Sequence, residues 1–187
     1  MIAKDLRLAL TLAVLTAIAG PSWAADTAPS PEARRLISLL DDQDLYVQQE
    51  AFMQLEMLRE AATAPAIRAH LDSRSEETRA FSVRALAAVE GVRAVPTLVE
   101  RLKKERDPQV RVSMLLALEP LQDPAVLPAL IDRLRDRQRN VRMAAVDAVS
   151  RVKDPLAKAA LQKRWVRERD RDVRRVLEKA LARAEES

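Results

Sequence analysis

The chain has 187 residues, with 32 Lys and Arg against 28 Asp and Glu, and it has no cysteine. Without cysteine it cannot form disulfides, thiolate metal sites, a cysteine nucleophile or a cysteine-linked lipid anchor. Two glycines, 3% aromatic residues and abundant Ala, Leu, Arg and Glu favour an all-helical protein over one with β-strands.

Residues 1–24 have the pattern of a secretory signal peptide. Lys4 and Arg7 lie in a charged start, and an apolar run over residues 8–20 leads into Gly20-Pro21. Small residues at 22 and 24 suit the positions before a cut, so we predict cleavage after Ala24 and a periplasmic or secreted protein. An uncleaved anchor is the alternative. The apolar run is shorter than the ~20 residues that span a bilayer, which argues against this alternative. We predict no transmembrane segment after cleavage.

From about residue 31 onward the chain repeats itself. Equivalent apolar or small positions, here called anchors, recur every 31 or 32 residues and are followed at helical spacing by further small or apolar residues. The anchors are Val47, Thr78, Val110, Val141 and Val173. They predict five repeating units after a flexible segment at 25–30, with approximate bounds 31–60, 61–91, 92–122, 123–153 and 154–187. A unit this short cannot bury its own apolar stripe, so neighbouring units must stack into one core.

Each unit is predicted to contain two helices. Prolines lie near the starts of the first helices, where a missing N–H is harmless: Pro31, Pro65, Pro96, Pro128 and Pro155. Three residues before four of the anchors stand side chains that can cap the second helix: Asp44, Ser75, Asp107 and Asp170. Gln138 breaks this pattern in the fourth unit, where Asn140 is a weaker substitute.

These residues carry a resemblance to a known family. Proline in a first helix, followed by Asp-x-x-Val-Arg opening the second, resembles HEAT repeats, in particular the short version named after phycobilisome lyases. The pattern is plainest at Asp107–Arg111 and Asp170–Arg174. The resemblance covers about residues 31–184 and implies a right-handed α-α superhelix. It says little about activity, because such arrays serve many purposes.

A row of charges runs through the units in register. Arginine follows four of the anchors, at Arg79, Arg111, Arg142 and Arg174, and an acid precedes four of them by five residues, at Asp42, Glu105, Asp136 and Glu168. In HEAT-like proteins such pairs are structural and tie one repeat to the next. The alternative is that the arginines face a concave surface and hold an acidic partner.

Positive charge accumulates toward the C-terminal end. Residues 25–60 contain three basic and eight acidic side chains, whereas residues 125–187 contain 17 and ten. Arg167, Arg171, Arg174 and Arg175 belong to the densest stretch. This stretch is either a solvated cap or a surface for a partner or polyanion. Nucleic acid is disfavoured by export, by the interleaved acids and by the scarcity of aromatic residues.

Catalytic patterns are missing from the sequence. His70 is the single histidine and Gly20 and Gly91 are the only glycines, so we predict no His-based metal site, no Ser-His-Asp set, no phosphate loop and no cofactor. His70 is expected to satisfy carbonyls at a helix end. Phe52, Phe81 and Trp165 are expected to pack, whereas Tyr46, Met53 and Met57 are candidates for an N-terminal contact patch.

The sequence thus predicts an exported, non-catalytic HEAT-like scaffold that binds another protein. The candidate interaction surface comprises Arg79, Arg111, Arg142, Arg167, Arg171, Arg174 and Arg175. One alternative is a binder of anionic polymer or of a membrane surface through the basic C-terminal repeat. A lyase-like enzyme, which the family name suggests, is the less favoured alternative.

Overall fold

A computed structural model describes residues 28–183, which form five antiparallel helical pairs. The helices are α1 (Pro31–Ser38), α2 (Leu45–Leu58), α3 (Ala64–Ala69), α4 (Glu76–Glu90), α5 (Val95–Lys104), α6 (Pro108–Leu118), α7 (Val126–Arg133), α8 (Arg139–Ser150), α9 (Pro155–Arg167) and α10 (Arg171–Arg183). The predicted signal segment lies outside the described residues. Within residues 28–183, no helix is long and apolar enough to cross a membrane.

Local sequence signals set the starts of the second helices. Asp44, Ser75 and Asp107 each accept a hydrogen bond from a backbone N–H in the first turn of the helix that follows. Asp170 does the same for α10. Gln138 makes no such bond before α8, although the Asn140 side chain accepts from the Val141 N–H at 3.0 Å. The predicted caps are therefore confirmed, including the interruption in the fourth pair.

The second helices stack in order, α2 on α4, α4 on α6, α6 on α8 and α8 on α10. The first helix of each pair packs against its own second helix. Buried side chains make one hydrophobic core that runs from Leu36 in α1 to Ala180 in α10. The predicted all-helical array is confirmed, and its core is shared by all five pairs of the described array.

Both ends of the described array replace packing residues by polar ones. Ala85, Ala117, Ala148 and Ala180 are buried, and the equivalent position in α2 is the partly exposed Gln54. At the other end, Glu178 is exposed where the equivalent positions carry the buried Phe52, Val83, Leu115 and Val146. Terminal repeats need such polar outer faces because nothing stacks on them within the array.

Candidate interaction surfaces

Three arginines of the predicted row bridge successive helical pairs. Arg79 donates to Glu105 through Nε at 3.0 Å and Nη2 at 3.1 Å. Arg111 binds both oxygens of Asp136 at 2.9 Å, and Arg142 Nε donates to Glu168 at 3.0 Å. Each acid belongs to the pair that follows the arginine. We call these three ion pairs the arginine ladder.

The same guanidinium groups also fasten the turn that precedes their own helix. Nη1 of each arginine donates to the carbonyl oxygen six residues earlier: Ser73 at 2.9 Å, Glu105 at 3.3 Å and Asp136 at 3.0 Å. It also donates to the next carbonyl, that of Arg74, Arg106 or Arg137. One arginine therefore satisfies carbonyls near the end of a first helix and holds the neighbouring pair in place.

Two of the ladder carboxylates, Glu105 and Glu168, have lowered pKa values. Burial of Glu168 alone raises its pKa, but hydrogen bonds from Arg164 and the Asp170 backbone, with the charges of Arg164 and Arg142, lower the pKa to about 2. Burial likewise raises the pKa of Glu105, and bonds from Arg79 and the Asp107 backbone outweigh it, so that the net change is downward. Hydrogen bonding to a charged carboxylate has this effect because protonation breaks the bond.

The ladder changes at its two ends. In the first pair Gln48 takes the arginine position; its Nε2 donates to the Asp42 carbonyl, and its Oε1 accepts from the Thr78 hydroxyl at 2.7 Å. In the last pair Arg174 lies 5.1 Å from the centre of the Trp165 ring. A neutral hydrogen bond and a cation–π contact thus replace the ion pairs of the ladder at the ends.

Arg79, Arg111 and Arg142 have nearly buried side chains, and their contacts support the structural interpretation of the row. Their use by a partner stays a prediction. Arg167, Arg171, Arg174 and Arg175 are all exposed, and among them only Arg174 has a described side-chain contact. The structure therefore divides the seven candidates into an internal group and an exposed C-terminal group.

A second surface is the solvent-exposed side of the stacked second helices, here called the second-helix face. Helical spacing places large apolar side chains on it, including Met57 with 80% and Leu116 with 58% of their area exposed. Val112 and Met143 lie beside them and are partly buried. Tyr46 and Met53, which the sequence analysis placed in a contact patch, are also exposed on α2. The apolar side chains therefore extend beyond α2 along the second-helix face.

Charged pairs border these apolar residues. Arg84 of α4 binds Glu56 of α2 at 3.2 Å, and Asp147 of α8 binds Arg151 at 2.9 Å and Arg183 of α10 at 3.6 Å. Leu116 lies between these two clusters in the order of the helices. The face therefore carries exposed apolar side chains on α2 and α6, with one charged cluster between α2 and α4 and another near α10.

A third surface was missed in the sequence analysis. Arg74, Arg106, Arg137 and Arg169 follow the acid position of successive units, and all four are exposed. Their spacing of 31 or 32 residues could have predicted this row from the sequence. The row was overlooked because the arginines of the ladder, five residues further along, repeat with the same period.

His70 contributes to packing between the first two pairs. Its Nδ1 donates to the Ala66 carbonyl at 2.9 Å, and its Nε2 lies 3.0 Å from the Asp41 carboxylate. The ring meets Phe52 edge-on at 5.6 Å. The expected role at a helix end is confirmed. Among residues 28–183, no three side chains of the types that bind metals come together.

Comparison with known proteins assigns the family. A family model described as HEAT repeats matches residues 33–119 and again residues 95–182. The chain belongs to the HEAT-repeat family. No curated protein sequence matches it.

Solved structures extend the comparison of the HEAT-repeat fold. A chain from the complex of CpcE and CpcF of phycocyanin lyase from Nostoc sp. PCC7120 is similar with a TM-score of 0.67 and 21% identity, covering 79% of this chain and 96% of that one. An engineered protein is similar with a TM-score of 0.52 and 21% identity, covering 83% and 80%. At this identity the likeness concerns the fold. The resemblance to short phycobilisome-lyase-type repeats is confirmed at that level.

Proposed function

We propose that the protein is an exported, non-catalytic HEAT-repeat scaffold whose second-helix face binds another protein. The observation that carries this proposal is the row of exposed apolar side chains on α2 and α6, above all Leu116 and Met57. Exposed apolar side chains grouped on one face mark binding sites more often than scattered ones do. Methionine suits such a face because its flexible side chain adapts to a partner's surface.

The arrangement of the polar groups supports a binding role. Both ring nitrogens of His70 have partners, and the nearly buried carboxylates Glu105, Asp136 and Glu168 are bonded to arginines. These groups are occupied in holding the array together. The similar chain from Nostoc is itself in a complex with a second protein, a mode of action that we extend to this chain by analogy.

Affinity enrichment with variants tests the proposed face. Wild-type protein, Leu116→Ser and Val92→Ser are immobilised in parallel and exposed to an envelope extract, with washes at low and high salt. Val92 is a matched control because it is 55% exposed but lies between α4 and α5, away from the second-helix face. We expect one protein to be retained by wild type and Val92→Ser through high salt, and its retention by Leu116→Ser to fall at least about tenfold. Equal retention by all three would exclude the second-helix face.

Export is tested separately. We expect full-length protein made in a bacterium to be recovered from the periplasm or the medium with Ala25 as its first residue, and Ala24→Asp to block the cut because the small site no longer fits. Recovery of the intact chain in the cytoplasm would contradict export while leaving the binding face to be judged by the enrichment.

A further inference from the structure

We propose that the C-terminal part of the array also binds the surface of anionic membranes. The surface consists of the turns before α8 and α10 together with the outer side of α9, and we call it the basic edge. This proposal is independent of the second-helix face. It rests on two features: arginines that have no side-chain partner among residues 28–183, and exposed apolar residues of α9.

The first feature is a concentration of unpaired guanidinium groups. Five arginines in or next to the two turns are exposed and have no side-chain hydrogen bond or ion pair within residues 28–183: Arg135, Arg137, Arg167, Arg169 and Arg171. The acidic side chains nearby already have partners. Asp136 and Glu168 belong to the arginine ladder, Asp172 binds Arg139 at 2.9 Å, and Asp170 caps α10. The charge of the basic edge is therefore not balanced locally.

The ladder fixes the backbone that carries these arginines. The carbonyl of Arg137 accepts from Arg142 at 3.2 Å, and Asp136 beside it is clamped by Arg111. In the next turn, Glu168 accepts from the backbone N–H groups of Arg169 and Asp170 at 2.9 Å. The backbone of the turns is thereby ordered before any ligand binds, so that only the arginine side chains lose conformational freedom on binding.

The second feature is apolar. Leu156 with 67% and Val166 with 76% of their area exposed share one side of α9 with Ala159 and Lys163, at helical spacing. Beside this stripe a groove of about 240 Å³ lies between α7 and α9. The groove is lined by the apolar residues Ile131, Leu134, Ala159 and Ala160 and by the cations Arg135, Lys163, Arg164 and Arg167.

A membrane surface fits both features together. Lipid phosphates accept the arginine forks in the headgroup layer, while Leu156 and Val166 enter the acyl boundary just below it. A soluble polyanion would neutralise the arginines but leave the apolar stripe in water. Juxtaposed cations and apolar side chains are the combination that holds a protein at an anionic bilayer without crossing it.

Vesicle sedimentation tests the electrostatic part. The chain beginning at Ala25, which retains the whole described core, is mixed with vesicles of phosphatidylcholine alone or with phosphatidylglycerol added. We expect binding only to the anionic vesicles, weakening as salt rises. Replacing Arg135, Arg137, Arg167 and Arg169 together by Gln should lower the partition coefficient about fivefold for each arginine. The control replaces four exposed arginines elsewhere, Arg34, Arg35, Arg59 and Arg93, and should lower it far less.

The apolar part separates a membrane from a soluble polyanion. Leu156→Ser with Val166→Ser should reduce vesicle binding about tenfold and leave binding of inorganic polyphosphate unchanged, whereas Leu116→Ser should not alter vesicle binding. The proposal is overturned if neutral and anionic vesicles bind alike, if the two sets of arginine replacements have equal effects, or if the serine variant binds vesicles as wild type does. The last result, with tight polyphosphate binding, would identify a polyanion site instead.

Discussion

The first and third contacts between second helices fill the same position with different chemistry. Between α2 and α4, Gln48 donates to the carbonyl of Asp42 and accepts from the Thr78 hydroxyl. Between α6 and α8, Arg111 donates to the equivalent carbonyl of Glu105 and forms a two-pronged fork with Asp136. The bond to the preceding turn is common to both contacts. The link to the next pair is neutral in one contact and ionic in the other.

This comparison indicates that the position needs a donor for its own turn before it needs a charge. The first contact compensates with aromatic packing, since Phe52 and Phe81 lie 6.2 Å apart between ring centres. The lowered pKa values of Glu105 and Glu168 make the contacts of these two carboxylates sensitive to acid, whereas the Gln48–Thr78 contact contains no carboxylate. Four predictions test this difference, from the largest expected effect to the smallest.

Arg111→Ala should cause the largest loss of stability, measured as the free energy of unfolding. It removes the fork and leaves Asp136, whose side chain is 5% exposed, as a poorly compensated buried charge, which costs about 3 kcal/mol or more. Urea unfolding followed by circular dichroism measures this loss. The control is Arg139→Ala, which breaks the exposed pair with Asp172 and should cost less than about 1 kcal/mol. Equal stabilities of the two variants would refute the structural role of the ladder.

Acidification should loosen the ladder next. The pKa of Glu168 is lowered to about 2 in the folded chain, below its ordinary value near 4.5 in the unfolded chain. Its stabilising contribution is therefore complete above about pH 4.5 and is lost as the pH falls toward 2; over this interval it amounts to about 3 kcal/mol.

Melting temperatures of wild type and Glu168→Gln between pH 7 and pH 2 measure this contribution. The variant should be less stable than wild type at pH 7 and should lose less on acidification, because it has no carboxylate to protonate at this position. Parallel curves for the two proteins would show that Glu168 is not among the groups responsible.

Replacing the ionic contact between α6 and α8 by the neutral contact found between α2 and α4 should lower the free energy of unfolding less than Arg111→Ala does. The triple variant Arg111→Gln, Asp136→Ser, Val141→Thr copies the residues at 48, 73 and 78. We expect it to retain the helical fold and to lose about 1–2 kcal/mol, since no buried charge is left unpaired. Urea unfolding beside Arg111→Ala gives the comparison, and a greater loss in the triple variant would show that the ionic fork cannot be exchanged for a neutral bond.

Thr78→Val should have the smallest effect of the four. It removes the hydroxyl that donates to Gln48 and should cost about 1 kcal/mol, with no change in the shape of the pH dependence. Thr78→Ser keeps the hydroxyl and is the control for it. A loss in Thr78→Val as large as that in Arg111→Ala would mean that the neutral and ionic contacts are energetically alike.

Much of the fold could be predicted because it depends on local helix-capping residues and on the periodic spacing of apolar residues. The spacing of the anchors predicted the paired helices, and oxygen-bearing side chains three residues before Val47, Thr78 and Val110 predicted their starts. Such signals act over one helical turn, so they can be recognised without knowing what the helix packs against.

The sites were less accessible to this reasoning. Period alone placed Arg106 and Arg111 in equivalent rows, yet the side chain of Arg111 is enclosed by Asp136 and the carbonyls of its own turn, whereas that of Arg106 is exposed. The partner of each ladder arginine also lies 25 or 26 residues further along the chain. Only the distance and angle between successive pairs determine that this acid, and not the one in its own turn, is reached.

The sequence by itself determined the helical repeat, its family and the accumulation of charge toward the C-terminal end, because these depend on residue type and spacing. The tertiary structure alone decided which arginines are occupied within the array and which are exposed to a partner. The physical reason is that burial and pairing are properties of two neighbouring repeats together, whereas a periodic pattern describes each repeat separately.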